Sequence, residues 1–363
     1  MLLAVSMLTF SGCALTSRVQ VEPLLLHPSD IRRPSSLKDA IGRGDYRHAA
    51  EMAGSLDPST EPVEELALLG RAQFYCGRYE AAIEILSQAL ERRMTPELRA
   101  RITWDLAQIA YQQQDMSEAL ELALEAKNGG IRIKGWYIHL LEAIQGIRIH
   151  AVEGSRRSVV QFRFGSPDLP RIAMDVNGSV TADAVLDTGA VMSIVSGSFA
   201  ERAGIRRLGD FSGEFYGLLG EPIAVQFGLI DSLEISGITI RNVPVAIMED
   251  SKLRFLVAEN ERFDIEFLVG TSFMKEFRLR FDYDRQQLIL DYLETPDRLP
   301  VSNQNLFLVD QRPLVHVTIN GRGWYPFLLD SGSEVTFLNR SRFTIQNVTY
   351  GVPRYHGATM QGL

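Results

Sequence analysis

The feature that most constrains this chain is a short pattern that occurs twice. Residues 184–190 read Ala-Val-Leu-Asp-Thr-Gly-Ala, and residues 327–333 read Phe-Leu-Leu-Asp-Ser-Gly-Ser. The two aspartates, Asp187 and Asp330, are 143 residues apart. In each copy an apolar run precedes the aspartate, and a small hydroxyl residue and a glycine follow it. This duplication predicts two equivalent turns that contribute their carboxylates to one shared site.

The similarity between the two copies extends upstream of the aspartates. Asn177-Gly178 and Asn320-Gly321 each precede the aspartate of their copy by ten residues. Asn-Gly between alternating apolar runs is a strong hairpin signal, because both residues tolerate the positive φ angles of a tight turn. Each copy is therefore predicted to form a strand, a tight turn, a second strand and then the aspartate turn.

These residues resemble the aspartic proteases, in particular the retropepsin-like group and its bacterial members. In that family two Asp-Thr/Ser-Gly loops meet across a two-fold axis, and their carboxylates hold a water molecule. The resemblance covers about residues 158–293 fully and residues 305–363 partly. It implies that Asp187 and Asp330 are catalytic. It also implies supporting roles for the other loop residues, namely Thr188, Gly189, Ser331 and Gly332.

The chemistry of such a pair explains the residue types. Two carboxylates about 3 Å apart cannot both be ionised, so one pKa rises, the other falls, and the pair shares a proton. The ionised member then acts as a general base on water, while the protonated member hydrogen-bonds the scissile carbonyl. This reaction requires no covalent intermediate and no cofactor.

Two further segments fit the same resemblance. The family has an apolar-apolar-Gly segment after its flap, and residues 267–270, Phe-Leu-Val-Gly, match it. Residues 213–220 are rich in glycine and aromatic residues and lie where the family has its flap, a hairpin that closes over substrate. Tyr216 and Gly217 are therefore the candidate flap residues.

The second copy departs from the family pattern. It ends at Leu363, where a flap would begin, and no second apolar-apolar-Gly segment follows Asp330. We therefore expect a truncated gene model or a fragment. Three arrangements remain open: an intramolecular pair of Asp187 with Asp330, a homodimer that pairs Asp187 with its own copy, or a binding module with silent sites. The intramolecular pair is preferred because the second copy of the motif would otherwise have no role.

Residues 36–150 are predicted to form helical repeats. Residues 77–82, Gly-Arg-Tyr-Glu-Ala-Ala, resemble the tetratricopeptide repeat, and related segments begin at Gly44 and Gln114. These segments predict three repeats, and residues 136–149 supply a capping helix. Such arrays bury a core only when their repeats stack. The array is interpreted either as a groove for a peptide or partner protein, or as a spacer that packs against the protease region.

The N-terminus resembles the signal of a bacterial lipoprotein. Residues 1–12 are mostly apolar, and Phe-Ser-Gly-Cys at residues 10–13 resembles a lipobox. The resemblance implies a signal peptide over residues 1–12, lipidation of Cys13 and a linker over residues 13–35. Ala14 resembles the outer-membrane sorting pattern, so the mature protein is expected on the periplasmic face, held to the membrane only by its lipid. A short buried helix or a membrane anchor is the alternative for this segment.

Composition and the remaining motifs exclude several classes of function. The net charge is −8 and no concentrated basic patch occurs, so a nucleic-acid surface is not expected. The six histidines are scattered without zinc-site spacing, and no phosphate-binding loop or serine-nucleophile elbow is present. With Cys13 lipidated, Cys76 has no cysteine partner and is interpreted as a small buried apolar residue.

The sequence therefore predicts a multidomain protein. All-α tetratricopeptide-like repeats precede mainly-β retropepsin-like acid protease lobes. The first lobe spans residues 158–293, a linker spans 294–304, and an incomplete second lobe spans 305–363. The predicted function is an aspartic endopeptidase of the bacterial cell envelope that cleaves peptides or proteins. The alternative is a non-catalytic periplasmic scaffold that binds peptides through its repeats.

Overall fold

A computed structural model describes most of the chain. The described residues are 3–5, 25–26, 34–164, 168–216, 221–258, 261–293, 305–319, 322–333, 336 and 343–344. Several predictions concern residues outside these ranges: most of the signal segment, Cys13, the flap residue Gly217, the linker 294–304 and most of the chain beyond Ser333.

The first part of the described chain is an array of antiparallel helix pairs, as the repeat segments predict. Its helices are α1 (Leu37–Arg43), α2 (Tyr46–Ala53), α3 (Val63–Tyr75), α4 (Tyr79–Leu90), α5 (Pro96–Gln112), α6 (Met116–Asn128) and α7 (Gly135–Ile144). Each of the three predicted segments marks the turn inside one pair. Gly44, Gly77 and Gln114 have positive φ angles there, of 74°, 71° and 63°. The predicted cap is α7, which ends at Ile144 rather than at Ile149.

Small residues allow these helices to approach one another. Ala49, Ala82 and Ala119 are fully buried at equivalent positions of the three pairs. A side chain at Gly70 in α3 would meet Leu86 of α4, because its Cβ would lie 2.5 Å from that side chain. The small residues at the predicted positions therefore set the close packing of the array.

The remainder of the described chain is mainly β. Its strands, numbered from the N-terminus, are β1 (Leu3–Val5), β2 (Leu25–Leu26), β3 (Ala151–Gly154), β4 (Arg157–Gln161), β5 (Arg171–Val176), β6 (Val180–Leu186), β7 (Ile194–Ser196), β8 (Arg206–Tyr216), β9 (Pro222–Ile235), β10 (Ile238–Met248), β11 (Arg254–Ala258), β12 (Glu261–Asp264), β13 (Phe267–Val269), β14 (Arg278–Asp282), β15 (Gln287–Asp291), β16 (Leu306–Val309), β17 (Arg312–Ile319), β18 (Arg322–Leu329) and β19 (Phe343–Thr344). Two short helices accompany them, α8 (Gly197–Arg202) and α9 (Thr271–Met274). This order confirms the predicted fold class, helical repeats followed by a mainly-β region.

The first lobe is a closed sheet built from hairpins. Its strand order is β3-β10-β7-β13-β6-β5-β9-β8, and β9 also pairs with β10, which closes the sheet on itself. The predicted Asn177-Gly178 turn joins β5 to β6, with φ angles of 51° and 61°. Both positive angles match the tight turn that Asn-Gly favours. The hairpin thus leads β6 directly to Asp187.

The second lobe repeats the end of this arrangement. Strands β16, β17 and β18 form antiparallel pairs, and β18 leads to Asp330. In the first lobe β13 lies parallel to residues 184–186, and in the second lobe β1 lies parallel to Phe327–Leu329 in the equivalent register. The predicted signal segment therefore contains a strand. The predicted 13–35 linker contains another, because β2 pairs with β19. The predicted Asn320-Gly321 turn lies outside the described residues.

The helical array packs against both lobes. On the first lobe, Trp136 of α7 stacks on Phe227 with ring centroids 5.2 Å apart. On the second lobe, Tyr46 of α2 stacks on His316, and His316 Nε2 donates a hydrogen bond to the Gly44 carbonyl at 2.8 Å. The array therefore bridges the two lobes that carry the aspartates. None of its helices, nor any other helix in the described ranges, has the length and apolarity needed to cross a membrane.

A buried polar cluster adds to the contact between the array and the first lobe. Lys275 Nζ donates to Gln112 Oε1 at 2.7 Å, and Gln114 Nε2 donates to Glu276 Oε2 at 3.0 Å. Burial lowers the pKa of Lys275 and raises the pKa of Glu276, and each charge partly offsets the effect on the other. Since unpaired buried charges are costly, these partners fix the orientation of α5 on the lobe.

Candidate active site

The two aspartates meet at the junction of the lobes. Asp187 follows β6, Asp330 follows β18, and each is 1 % exposed. A Cβ at Gly189 would lie 2.7 Å from Asp330 Cγ, and a Cβ at Gly332 would lie 2.5 Å from Asp187 Cγ. Each glycine therefore makes room for the carboxyl group of the other loop. The arrangement within one chain, rather than across two copies, is the one that the structure contains.

The hydroxyl residues after the aspartates cross between the two loops. The Thr188 N–H donates to Ser331 Oγ at 3.0 Å, and the Ser331 N–H donates to Thr188 Oγ1 at 2.9 Å. Each hydroxyl then donates onward, Thr188 Oγ1 to the Leu329 carbonyl at 2.6 Å and Ser331 Oγ to the Leu186 carbonyl at 2.8 Å. These four reciprocal hydrogen bonds relate the loops by an approximate two-fold axis.

Backbone groups fix the direction of each carboxyl group. The Gly189 N–H donates to Asp187 Oδ1 at 2.8 Å, and the Gly332 N–H donates to Asp330 Oδ1 at 2.9 Å. The Asp187 N–H donates in turn to the Val269 carbonyl at 3.0 Å, which ties this loop to β13. Both carboxyl groups are therefore oriented in the same way by their own loops.

Burial raises the pKa of both carboxyl groups. The charge of Asp330 raises the pKa of Asp187 further, and so does a hydrogen bond between the two carboxyl groups. For Asp330 burial also dominates, but the hydrogen bond with Asp187 lowers its pKa. The pKa of Asp187 is therefore raised more than that of Asp330, which makes Asp187 the favoured site for a proton shared by the pair. Asp330 Oδ2 is buried and has no hydrogen-bond partner among the described residues.

A second layer of residues, which the sequence pattern did not single out, supports the Asp187 loop. Ser193 Oγ accepts a hydrogen bond from the Gly270 N–H at 3.1 Å. Thr271 Oγ1 donates to the Gln311 carbonyl in the second lobe at 2.9 Å. Thr271 directly follows the recognised Phe-Leu-Val-Gly segment, so its position next to that motif could have marked it as a supporting residue. Gln311 has a positive φ of 61° in a turn without glycine, and no sequence signal marks it.

The candidate flap residue Tyr216 ends strand β8 and contacts the helical array. Its hydroxyl accepts a hydrogen bond from Lys134 Nζ at 3.2 Å, and the same ammonium lies 5.2 Å from the centre of the Tyr216 ring. Lys134 directly precedes α7. The strand that leads into the predicted flap is therefore connected to the repeats. The other flap candidate, Gly217, lies outside the described residues.

The family models support the two halves of the sequence interpretation. Residues 172–273 match the aspartyl protease family, and residues 68–131 match the tetratricopeptide repeat. These two segments are therefore similar to the aspartyl protease family and to the tetratricopeptide repeat, in the order that the sequence resemblance implied. The first match includes Asp187 and Gly270, whereas Asp330 lies beyond it.

The chain is also similar to solved structures. A retropepsin-like aspartic protease from Rickettsia conorii is 19% identical, with a TM-score of 0.28, and the match covers 39% of this chain and 95% of that one. The retroviral protease-like domain of Ddi1 from Leishmania major is 16% identical, with a TM-score of 0.21, over 44% of this chain and 96% of that one. No curated protein matches the chain.

We predict that Thr188→Val destabilises the protein. Valine has the shape of threonine but leaves the Ser331 N–H without its acceptor and the Leu329 carbonyl without its donor. Loss of two buried partners should lower the free energy of unfolding by about 2–4 kcal/mol. Urea denaturation measures this change, and Thr188→Ser, which keeps the hydroxyl, is the control. Equal stabilities of the two variants would contradict the role given to the hydroxyl.

We also predict that Asp187→Asn removes a pH dependence of stability. The folded-state pKa of Asp187 lies above the unfolded value of about 3.9. The stability that its protonated form contributes is therefore fully present below about pH 3.9 and is lost as pH rises through the folded-state pKa. Relative to the wild type, the variant should become more stable on going from acid to neutral pH, by about 1.4 kcal/mol per unit of pKa shift.

Denaturation curves at several pH values measure this difference. The control is Asp183→Asn, because Asp183 is an exposed carboxylate of the same strand that forms an ion pair with Arg163. A stability difference between Asp187→Asn and the wild type that stays constant with pH would refute the buried protonated carboxyl.

Proposed function

We propose that this protein is an aspartic endopeptidase in which Asp187 and Asp330 activate a water molecule for peptide hydrolysis. The observation that carries the proposal is the pair of buried carboxyl groups, held face to face by the reciprocal hydrogen bonds of Thr188 and Ser331. The aspartyl protease family match over the first lobe supports the same chemistry. The substrate class is a peptide or protein, and the reaction needs no cofactor.

The proposed mechanism follows from the unequal pKa values of the pair. Ionised Asp330 takes a proton from water as the water oxygen attacks the scissile carbonyl carbon. Protonated Asp187 donates its proton to the carbonyl oxygen, which stabilises the tetrahedral intermediate. Asp330 then passes its proton to the amide nitrogen and the C–N bond breaks. One of the two hydroxyl protons of the tetrahedral intermediate returns to Asp187 as the carboxylic acid forms. The dyad thus regains its starting protonation.

The homodimer with Asp187 paired to its own copy is not favoured. Asp330 of the same chain already lies against the Asp187 loop, with its carboxyl group where a Gly189 side chain would be. A partner copy would have to displace the whole second lobe from this position. The scaffold alternative is distinguished from the enzyme by whether replacement of the aspartates abolishes cleavage.

The envelope location remains a proposal that depends on the sequence. Its support is the apolar N-terminal segment and the Phe-Ser-Gly-Cys pattern at residues 10–13. We propose that Cys13 carries a lipid and that the mature protein faces the periplasm from the outer membrane. The cleavage before Cys13 that this requires would remove β1 from its pairing with β18. A lipid tether would keep the enzyme near the envelope while leaving its two lobes in water.

We predict that Asp187→Asn and Asp330→Asn each abolish peptide cleavage. Each substitution removes a general acid or base, a contribution of about 10²- to 10⁴-fold in rate. Cleavage of a peptide library, read by mass spectrometry, measures the loss, and the wild type should give a bell-shaped dependence of kcat/KM on pH. Asp183→Asn should cleave like the wild type. Cleavage that persists in both active-site variants would exclude the dyad mechanism.

We predict that Cys13→Ser releases the protein from the membrane fraction. The substitution removes the thiol that would carry the lipid. Expression in a bacterial host with a radiolabelled fatty acid should label the wild type and leave Cys13→Ser unlabelled, while Cys76→Ser should label like the wild type. Equal labelling of wild type and Cys13→Ser would remove the lipoprotein proposal without affecting the dyad.

A further inference from the structure

A cavity of about 470 Å³ lies between the helical array, the flap strand and the second lobe. Trp104 and Gln108 of α5 and Tyr137 of α7 line it from the array. Tyr216 lines it from β8, and Gln311 lines it from the turn between β16 and β17. Its volume falls within the range of about 300–1,000 Å³ that is usual for ligand sites. Three separate parts of the fold therefore meet around one space.

One residue of the Asp187 loop, Val191, lines this cavity. Val191, four residues after Asp187, lines it together with Gln311. The Thr271 hydroxyl, which donates to the Gln311 carbonyl, also contacts the carbonyls of Ala190 and Val191. Part of the cavity wall thus comes from the loop that carries Asp187.

The lining combines aromatic surface with polar groups. Trp104 and Tyr137 pack edge to face with ring centroids 5.7 Å apart, and Ile133 lies beside them in the lining. Gln311 has a buried side-chain oxygen without a hydrogen-bond partner among the described residues. A large apolar side chain of a peptide would cover the aromatic surface.

Positive and negative side chains both line the cavity, so it does not strongly favour a ligand of one charge. Burial raises the pKa of Asp310, whereas the neighbouring Arg312 lowers it, so these two groups partly offset each other. Arg132 and Lys134 of the array and Glu214 of β8 also line the cavity. With both signs present, the aromatic surface rather than net charge decides what binds.

We propose that the helical repeats form part of the substrate cleft, and that this cavity is a subsite for a large apolar side chain of the peptide near the scissile bond. The proposal rests on the proposed peptidase function and states which substrate side chain the enzyme prefers. The repeats would then select substrates directly, through α5, α7 and the segment before α7. They would do so without a separate partner protein.

The test fills or enlarges the cavity from the array side. Gln108→Trp adds bulk from α5, one helical turn after Trp104, whereas Ile133→Ala removes bulk from the segment before α7. The matched control is Gln88→Trp, the same change at a half-buried glutamine of α4 that does not line the cavity. Melting curves establish that each variant is folded.

Cleavage of a peptide library is compared by the ratio of kcat/KM for substrates with large and with small apolar side chains at each position. Gln108→Trp should lower this ratio about 10- to 100-fold at one position, as expected when a pocket loses room for several methylene groups. Ile133→Ala should raise the ratio at the same position, and Gln88→Trp should leave the profile unchanged. Profiles that are identical in all folded variants would overturn the proposal.

A binding measurement separates this inference from the peptidase itself. The same cavity variants are made in Asp187→Asn, and fluorescence anisotropy measures their affinity for labelled library peptides. If the wild type does not cleave, but Gln108→Trp still selectively lowers the affinity for peptides with large side chains, the subsite stands and the dyad mechanism fails. If the wild type cleaves but neither cleavage nor binding responds to Gln108→Trp, the subsite fails and the peptidase stands.

Discussion

The whole arrangement depends on keeping two acidic side chains buried against each other. Asp187 and Asp330 are each 1 % exposed, and a site that removes two carboxyl groups from water is costly unless a proton and several donors compensate. The glycine N–H groups and the shared proton supply that compensation. Thr188 and Ser331 then lock the two loops across the axis. Burial raises both pKa values, and the interaction between the two carboxyl groups makes them unequal, as the proposed reaction requires.

The need to keep the two carboxyl groups together gives a reason for the contacts that the helical array makes with both lobes. The second lobe presents only a few described strands, yet it must position Asp330 accurately against the first. The helical array contacts both lobes, through Trp136 on one side and Tyr46 on the other. It therefore contributes to the geometry of the dyad as well as to one wall of the adjacent cavity. This arrangement favours an integrated role for the repeats over the interpretation as a spacer.

Local rules predicted much of the fold and the position of the dyad. The Asn177-Gly178 turn and the turns at Gly44 and Gly77 follow from φ angles that few residues adopt readily. The supporting groups were harder to predict. Ser193, Thr271 and Gln311 act through contacts between residues 40 to 81 positions apart, which leave no local pattern in one sequence. The contact of Lys134 with Tyr216 also joins residues far apart in the sequence, so the sequence did not predict it.

The sequence by itself determined the chemical groups and their local geometry: two carboxylates on equivalent turns, each followed by a hydroxyl residue and a glycine. These features are set by backbone preferences and by the period of apolar residues. Only the tertiary structure decided that Asp187 faces Asp330 within one chain, that the pKa of Asp187 is raised more than that of Asp330, and that the repeats and the Asp187 loop line one cavity. Those outcomes depend on burial and on distances between remote segments, which arise only when the helices and both lobes pack together.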